Sequence, residues 1–191
     1  MAKSVTQQEI KRRVRREKNR RILMLLLQLM VVLLLSAACA FVFFGSVMIQ
    51  ENSMNPTLES GDRVFVNRAA YLVTGVRRGD VIAYRSSNEI DAGIHVKRVI
   101  ALPGETIQIK DGLILINGKT YIENKEFPNI SKPGIAEDGV KLGSDQYFVL
   151  GDNRNNSEDS RFADVGNIAK SSVIGKVWFI GRPAKHAGFV R

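Results

Sequence analysis

Residues 22–49, ILMLLLQLMVVLLLSAACAFVFFGSVMI, carry no charge over 28 positions, and their only polar members are Gln28, Ser36 and Ser46. A helix needs about 20 apolar residues to cross the hydrocarbon core of a bilayer, so this run is long enough to span with some tilt. The flank before it is opposite in character. Residues 1–21 hold nine Lys/Arg and two Glu, a net +7, and the whole-chain +9 therefore leaves only +2 for everything after them. The positive-inside rule puts the basic end in the cytoplasm and the rest of the chain outside. No later segment is long and apolar enough to span again, so a single crossing is expected.

The same patterning trims the list of functions. A globally basic nucleic-acid binder is excluded, because the body after the tail is nearly neutral. The basic tail is a topology determinant, with attraction to anionic lipid as a by-product. The lone Cys39 excludes a disulfide framework, a CxxC pair and a Cys-rich zinc site, and with two His in the chain no metal-ligand cluster emerges. Two alternatives to a retained anchor stand beside it. Basic start, Leu-rich middle and Ser36-Ala37-Ala38-Cys39-Ala40 also fit a cleavable signal peptide, and they come near a lipoprotein processing site. Against both, the apolar run continues through Phe41, Val42, Phe43, Phe44, Val47 and Met48.

Residues 50–191 are enough for one core. Short runs rich in Val, Ile, Phe and Tyr between turn residues predict strands over 62–66, 80–84, 94–100, 106–109, 113–116, 146–150 and 173–180. Asp111-Gly112 and Asn117-Gly118 read as tight hairpin turns, since both residue pairs tolerate positive φ. The Pro- and Gly-bearing stretch 123–144 reads as an insertion or small subdomain. The expected fold class is mainly β: an antiparallel domain outside the membrane, preceded by one transmembrane helix. The predicted division is therefore tail 1–21, span 22–49 and domain 50–191.

Residues able to do chemistry gather in three places: Ser53-Met54-Asn55-Pro56-Thr57-Leu58, Val96-Lys97-Arg98-Val99-Ile100 running to Pro103-Gly104, and Gly151-Asp152-Asn153 running through Ser157, Asp159 and Arg161. Lys97 stands out because it sits in an apolar run. On a strand it shares a face with His95 and Val99, while Val96, Arg98 and Ile100 share the other. A serine hydroxyl attacks well only when a base takes its proton. Lysine can be that base only when neutral, so its ordinary pKa of about 10.4 must fall towards roughly 7–8. Burial among apolar side chains drives that change, provided no carboxylate lies close by.

At these places the sequence resembles the bacterial type I signal peptidases, membrane-anchored Ser–Lys proteases. The resemblance covers most of 22–181 and extends to Gly61-Asp62, Val64 and Gly175-Lys176-Val177-Trp178. It implies Ser53 as nucleophile, Lys97 as general base and Ser157 as a hydroxyl that orients the amine. It also implies an oxyanion hole built on the Ser53 backbone N–H, and no metal or cofactor. Arg98, Asp159 and Arg161 take structural roles, an ion pair tying strands together. Asp152 and Asn153 read as turn-formers shaping their loop. The implied substrates are preproteins carrying signal peptides. These would lie extended along a sheet edge and be cut after small residues of Ala-x-Ala type. Gln50, Asn52, Met54, Ile94, His95 and Val96 are the expected groove residues. The implied location is the bacterial cytoplasmic membrane, with the lipid bilayer as the second partner and the catalytic domain extracytoplasmic.

The sequence departs from the family twice. Glu51 stands two positions before the nucleophile, where the family has Ser or Gly; the hydroxyl, when present, assists the oxyanion hole. An ionised carboxylate pointing inward would repel the oxyanion, so Glu51 is expected to face away. Phe162-Ala163-Asp164-Val165 also delays the glycine, Gly166, that the family reaches sooner. Two other readings stay open: a noncatalytic bitopic assembly factor on the same fold, and a hydrolase using His95 or His186 as its base.

Overall fold

Leu, Met, Arg and Lys fill most of positions 11–35, and all four favour helix. In the computed structural model, which describes residues 2–86 and 93–190, helix α1 runs Ala2–Phe43. The chain divides into two compact units, Met1–Phe43 and Phe44–Arg191. Within α1 the stretch from Ile22 to Phe43 is about 33 Å long at 1.5 Å per residue, enough for a hydrocarbon core of about 30 Å. Leu23, Leu26, Leu29 and Leu34 are exposed along it. The helix stops six residues short of the expected end at Ile49. Phe44–Met48 is strand β1, paired antiparallel with β2, Arg63–Asn67. The sheet supplies these residues with backbone partners, and Gly45 and Val47 favour leaving the helix.

The remaining elements are a short helix α2 (Ala70–Val73) and strands β3 (Val81–Arg85), β4 (Ile94–Ala101), β5 (Thr106–Lys110), β6 (Leu113–Ile116), β7 (Lys119–Thr120), β8 (Val140–Lys141), β9 (Gln146–Leu150), β10 (Ile168–Ala169), β11 (Val173–Arg182) and β12 (Gly188–Phe189). They form an eight-stranded sheet in the order β1-β2-β11-β3-β4-β9-β10, with β12 beside β11, and a four-stranded sheet in the order β7-β6-β5-β8. Pairings among the described residues are antiparallel. All seven strands read from the sequence are present. The short strands β7, β8, β10 and β12 carry too few residues to show an alternation.

Both expected hairpins form. Asp111-Gly112 has φ of 52° and 76°, and Asn117-Gly118 has 52° and 77°. Two successive positive φ values match the twist of a hairpin ladder, which is why these residue types sit there.

Three apolar clusters hold the domain. Ile107, Ile109, Ile114 and Ile116 of the small sheet pack with Ile100, Phe148 and Leu150 of the large one, joined by Ile130, Ala136 and Leu142. Thus the 123–144 stretch, expected as an insertion, contributes to a shared core. A second cluster joins Met54 and Leu58 to Val64, Val66, Val81, Val96 and Val177. The third joins Ile82, Tyr84, Val99, Tyr147 and Val149.

Phe148 is 0% exposed where the two sheets meet. Phe148→Ala is expected to destabilise the domain by about 3–5 kcal/mol, measured by denaturant unfolding of the detergent-solubilised chain.

Candidate functional site

Strand β4 decides the position of Lys97. It pairs with β3 over Val81↔Arg98 to Arg85↔Ile94, but with β9 only from Arg98↔Leu150 onward. Lys97 therefore lies at the point where β4 leaves β9, with Ile82 opposite, and it is 1% exposed. Its Nζ donates to Ser53 Oγ at 2.6 Å. Ser53 sits on a turn whose next residues plunge into the core: Leu58 N–H donates to Met54 O, and both side chains are buried. Two residues far apart in sequence are thereby fixed from opposite sides, one by a ladder and one by a buried anchor.

The loop after β9 holds the turn from below. Asn153 N–H donates to Ser53 O at 3.0 Å, and Asn153 Nδ2 donates to Asn52 O at 3.1 Å. Gly151 lies so close that a Cβ there would overlap both Ser53 O and Ser157 Oγ. Asp152 does more than form a turn. It is 0% exposed and accepts two bonds from Arg98, Nε to Oδ1 at 2.7 Å and Nη2 to Oδ2 at 2.6 Å. That fork ties the loop to the residue next to Lys97 and leaves Asp152 committed to a structural partner. Asp159 and Arg161 pair bidentately within the loop at 2.7 and 2.8 Å, and Asp159 also accepts the Gly151 N–H.

The 123–144 stretch braces this loop. Glu123 receives two bonds from Arg154, Phe127 lies against both Arg154 and Arg98, and Lys132 O accepts from Arg161.

Two expectations need correcting. Ser157 is buried in the cavity beside the pair, yet its Oγ makes no hydrogen bond among the described residues. The amine's second bond goes instead to Glu51, whose Oε2 lies 3.2 Å from Lys97 Nζ and also accepts from Ser53 Oγ at 3.2 Å. Glu51 thus faces in, not away, and a carboxylate does lie close to the lysine. The reason is electrostatic: Lys97 and the His95 ring point the same way from β4, and a half-exposed carboxylate settles between them. His95 Nδ1 is 3.4 Å from Glu51 Oε1. Hydrogen bonding to His95, aided by the charge of Lys97 and opposed by partial burial, holds the Glu51 carboxyl down to about 2. His186, the other histidine, pairs with Asp62 at 2.9 Å.

Two concavities meet at Ser53. A cleft of about 430 Å³ is lined by Gln50, Met54, Ile94, His95 and Val96 among others, matching five of the six expected groove residues. The sixth, Asn52, lines the neighbouring cavity of about 1050 Å³ together with Tyr84 and Ser157. Glu51, Ser53 and His95 border both. The edge of β4 at Ile94–Lys97 opposite β3 has no strand partner among the described residues, because β9 joins only at Arg98. Such an edge can accept a further extended chain. Sequence reading misses Gly151 as a packing point and Asp152 as a buried ion. The role of Gly151 depends on distances between segments, and a buried aspartate ion cannot be told from a turn aspartate until its partner is known.

The signal peptidase (peptidase S26) family model matches residues 22–181. Signal peptidase I T of Bacillus subtilis (strain 168) is 37% identical over 147 residues, covering 73% of this chain and 75% of that protein. A signal peptidase I of Bacillus amyloliquefaciens is 35% identical over 149 residues, covering 73% of this chain and 77% of that protein. A crystal structure of a signal peptidase I from Enterococcus faecalis V583 aligns with a TM-score of 0.46 and 30% identity, over 55% of this chain and 98% of that one.

Because Gly151 admits no side chain against Ser53 and Ser157, Gly151→Ala is expected to cost about 1–3 kcal/mol by overpacking. Denaturant unfolding beside the wild type measures this, and an unchanged midpoint would contradict the close approach.

Proposed function

Because this chain belongs to the signal peptidase (peptidase S26) family, we propose that Ser53 is the nucleophile and Lys97 the general base with which it cleaves signal peptides from preproteins. The chain is a serine endopeptidase of the signal peptidase I type. The single observation carrying the residue assignment is the 2.6 Å bond between Lys97 Nζ and Ser53 Oγ inside a buried setting.

The geometry supports a two-stage hydrolysis. Neutral Lys97 takes the Ser53 proton as Oγ attacks the scissile carbonyl, and the tetrahedral oxyanion is met by the Ser53 backbone N–H. Lys97, now an ammonium, gives its proton to the departing amine, leaving an acyl-serine. The lysine amine then draws a proton from water, whose oxygen attacks the acyl carbon and frees Ser53. Ser157 lines the larger cavity beside the pair. Arg98, Asp152, Asn153, Asp159 and Arg161 hold the scaffold and take no part in proton transfer.

Substrate enters as an extended strand along the free edge of β4. The 430 Å³ cleft beside Met54, Ile94 and Val96 suits small side chains, in keeping with Ala-x-Ala ends. The apolar part of α1 serves as a single membrane anchor of the bacterial cytoplasmic membrane. The basic residues before it stay in the cytoplasm, and the domain works outside. Ser53 follows the end of α1 at Phe43 by only ten residues of chain, which keeps the nucleophile near the bilayer surface where signal sequences emerge.

Ser53→Ala and Lys97→Ala are each expected to lower preprotein cleavage by about 10³-fold or more, read as processed product on gels with a membrane-reconstituted enzyme. Near wild-type cleavage by either variant rejects the dyad, and retained activity in Lys97→His transfers the base role to an imidazole.

A further inference from the structure

We propose that Glu51, braced by His95, is a positioning residue of the resting dyad: its carboxylate holds Lys97 and Ser53 in register while the groove is empty and turns off them as an extended peptide enters. This inference rests on the Ser53–Lys97 reading above. It concerns a residue type that the family resemblance does not supply, because Ser or Gly is expected at this position.

Three observations carry it. First, one carboxylate oxygen serves both members of the dyad, with Ser53 Oγ and Lys97 Nζ each 3.2 Å from Glu51 Oε2. Second, the other oxygen is held by His95 at 3.4 Å, so the carboxylate is aimed by a partner on the same strand face as the lysine. Third, the Glu51 side chain is 53% exposed while the Lys97 side chain it touches is 1% exposed. The carboxylate therefore has open solvent to turn into, whereas the amine has none.

Its location makes turning necessary. Glu51 borders both the cleft along β4 and the larger cavity, so a peptide crossing from one to the other passes over it. A negative charge beside the nucleophile opposes the oxyanion that forms during attack. It also favours the ammonium form of its lysine partner, which cannot accept the serine proton. In the resting site the amine is thus held in register by the carboxylate and the Ser53 hydroxyl. On peptide entry the carboxylate turns away, which removes the charge that opposes an unprotonated amine facing Ser53.

Among the described residues, the other charged and titratable groups near the carboxylate are few. Tyr84 on β3 feels the charges of both Glu51 and Asp159, and burial is the main cause that keeps its phenol neutral. Asp159 is itself neutralised by Arg161. Across the cavity stand Glu158, Asp164 and Lys132. Among the described residues, Glu51 is the anion hydrogen-bonded to the lysine amine.

The test is the pH dependence of kcat and of kcat/KM for the full-length enzyme in detergent, with one preprotein substrate. Wild type is compared with Glu51→Gln, Glu51→Ser and His95→Gln, and Ser53→Ala and Lys97→Ala run alongside. The kcat/KM profile reports the free enzyme and the kcat profile reports the complex. Removing a unit charge at this distance from a partly hydrated site is expected to move the acid limb of kcat/KM down by about one pH unit. That is about a tenfold gain below the limb, while the limb of kcat stays in place. His95→Gln is expected to move the kcat/KM limb part of the way. Limbs unmoved in both Glu51 variants, or kcat and kcat/KM limbs that shift together, overturn the proposal while leaving the dyad intact. Activity that survives Ser53→Ala or Lys97→Ala instead removes the reading on which the proposal rests. Glu51 is half-exposed, and thermal unfolding of each variant separates a loss of fold from a change in ionisation.

Discussion

An ionised carboxylate with no exposed surface must meet a cation, and Asp152 meets Arg98 through both of its oxygens. Such a pair contributes little to net stability, since both ions lose their hydration. Leaving either one alone would cost about 3–5 kcal/mol. The value of the fork lies in geometry. Arg98 follows Lys97 directly on β4, and Asp152 directly precedes Asn153, which bonds to the carbonyl of Ser53. One planar, bidentate contact thereby fixes the strand that bears the amine relative to the loop that supports the hydroxyl. Phe127 against both Arg98 and Arg154, and Glu123 on Arg154, extend the same arrangement into the neighbouring stretch.

From that frame the rest of the site follows by exclusion. Adjacent residues on a strand face opposite ways, so with Arg98 turned towards the loop, Lys97 points to the other side. There it meets the turn carrying Ser53. Because β9 leaves β4 at Arg98, the strand beyond has an edge beside Ser53 with no strand partner among the described residues, and this gap in the sheet is the proposed substrate groove. The same side of β4 presents His95, and between it and Lys97 the Glu51 carboxylate finds two hydrogen-bonding partners. The proposed catalytic pair thus has a carboxylate resting against both of its members.

Much of this is legible in the sequence. Alternation of apolar residues marks the longer strands, and the two Asx-Gly pairs mark the hairpins, because local sterics alone select those residues there. Ser53 and Lys97 are recognisable from residue type, from setting and from the resemblance. The proposed groove residues are legible too, since residues next to a proposed nucleophile and base must line any approach to them. Composition puts the end of the helix at Ile49, six residues too late. An apolar run has the same composition whether its backbone bonds lie within a helix or across a sheet. The expectations of an outward Glu51 and of a Ser157 bonded to the amine fail for a common reason. Which acceptor reaches a buried amine depends on side chains brought together from separate segments.

Sequence alone determined that this chain has one apolar helix, a basic leading end and a β-rich body. It also pointed, through residue type and resemblance, to a serine and a lysine as candidates to share a proton. These are properties of residue type and short-range spacing, which hold wherever the segment lies. Tertiary structure decided that Asp152 is an ion partner, that Gly151 must be bare, and that a carboxylate rests on the dyad. Each of these turns on an approach of about 3 Å between atoms roughly 40 to 100 residues apart along the chain, and no local pattern encodes such a distance.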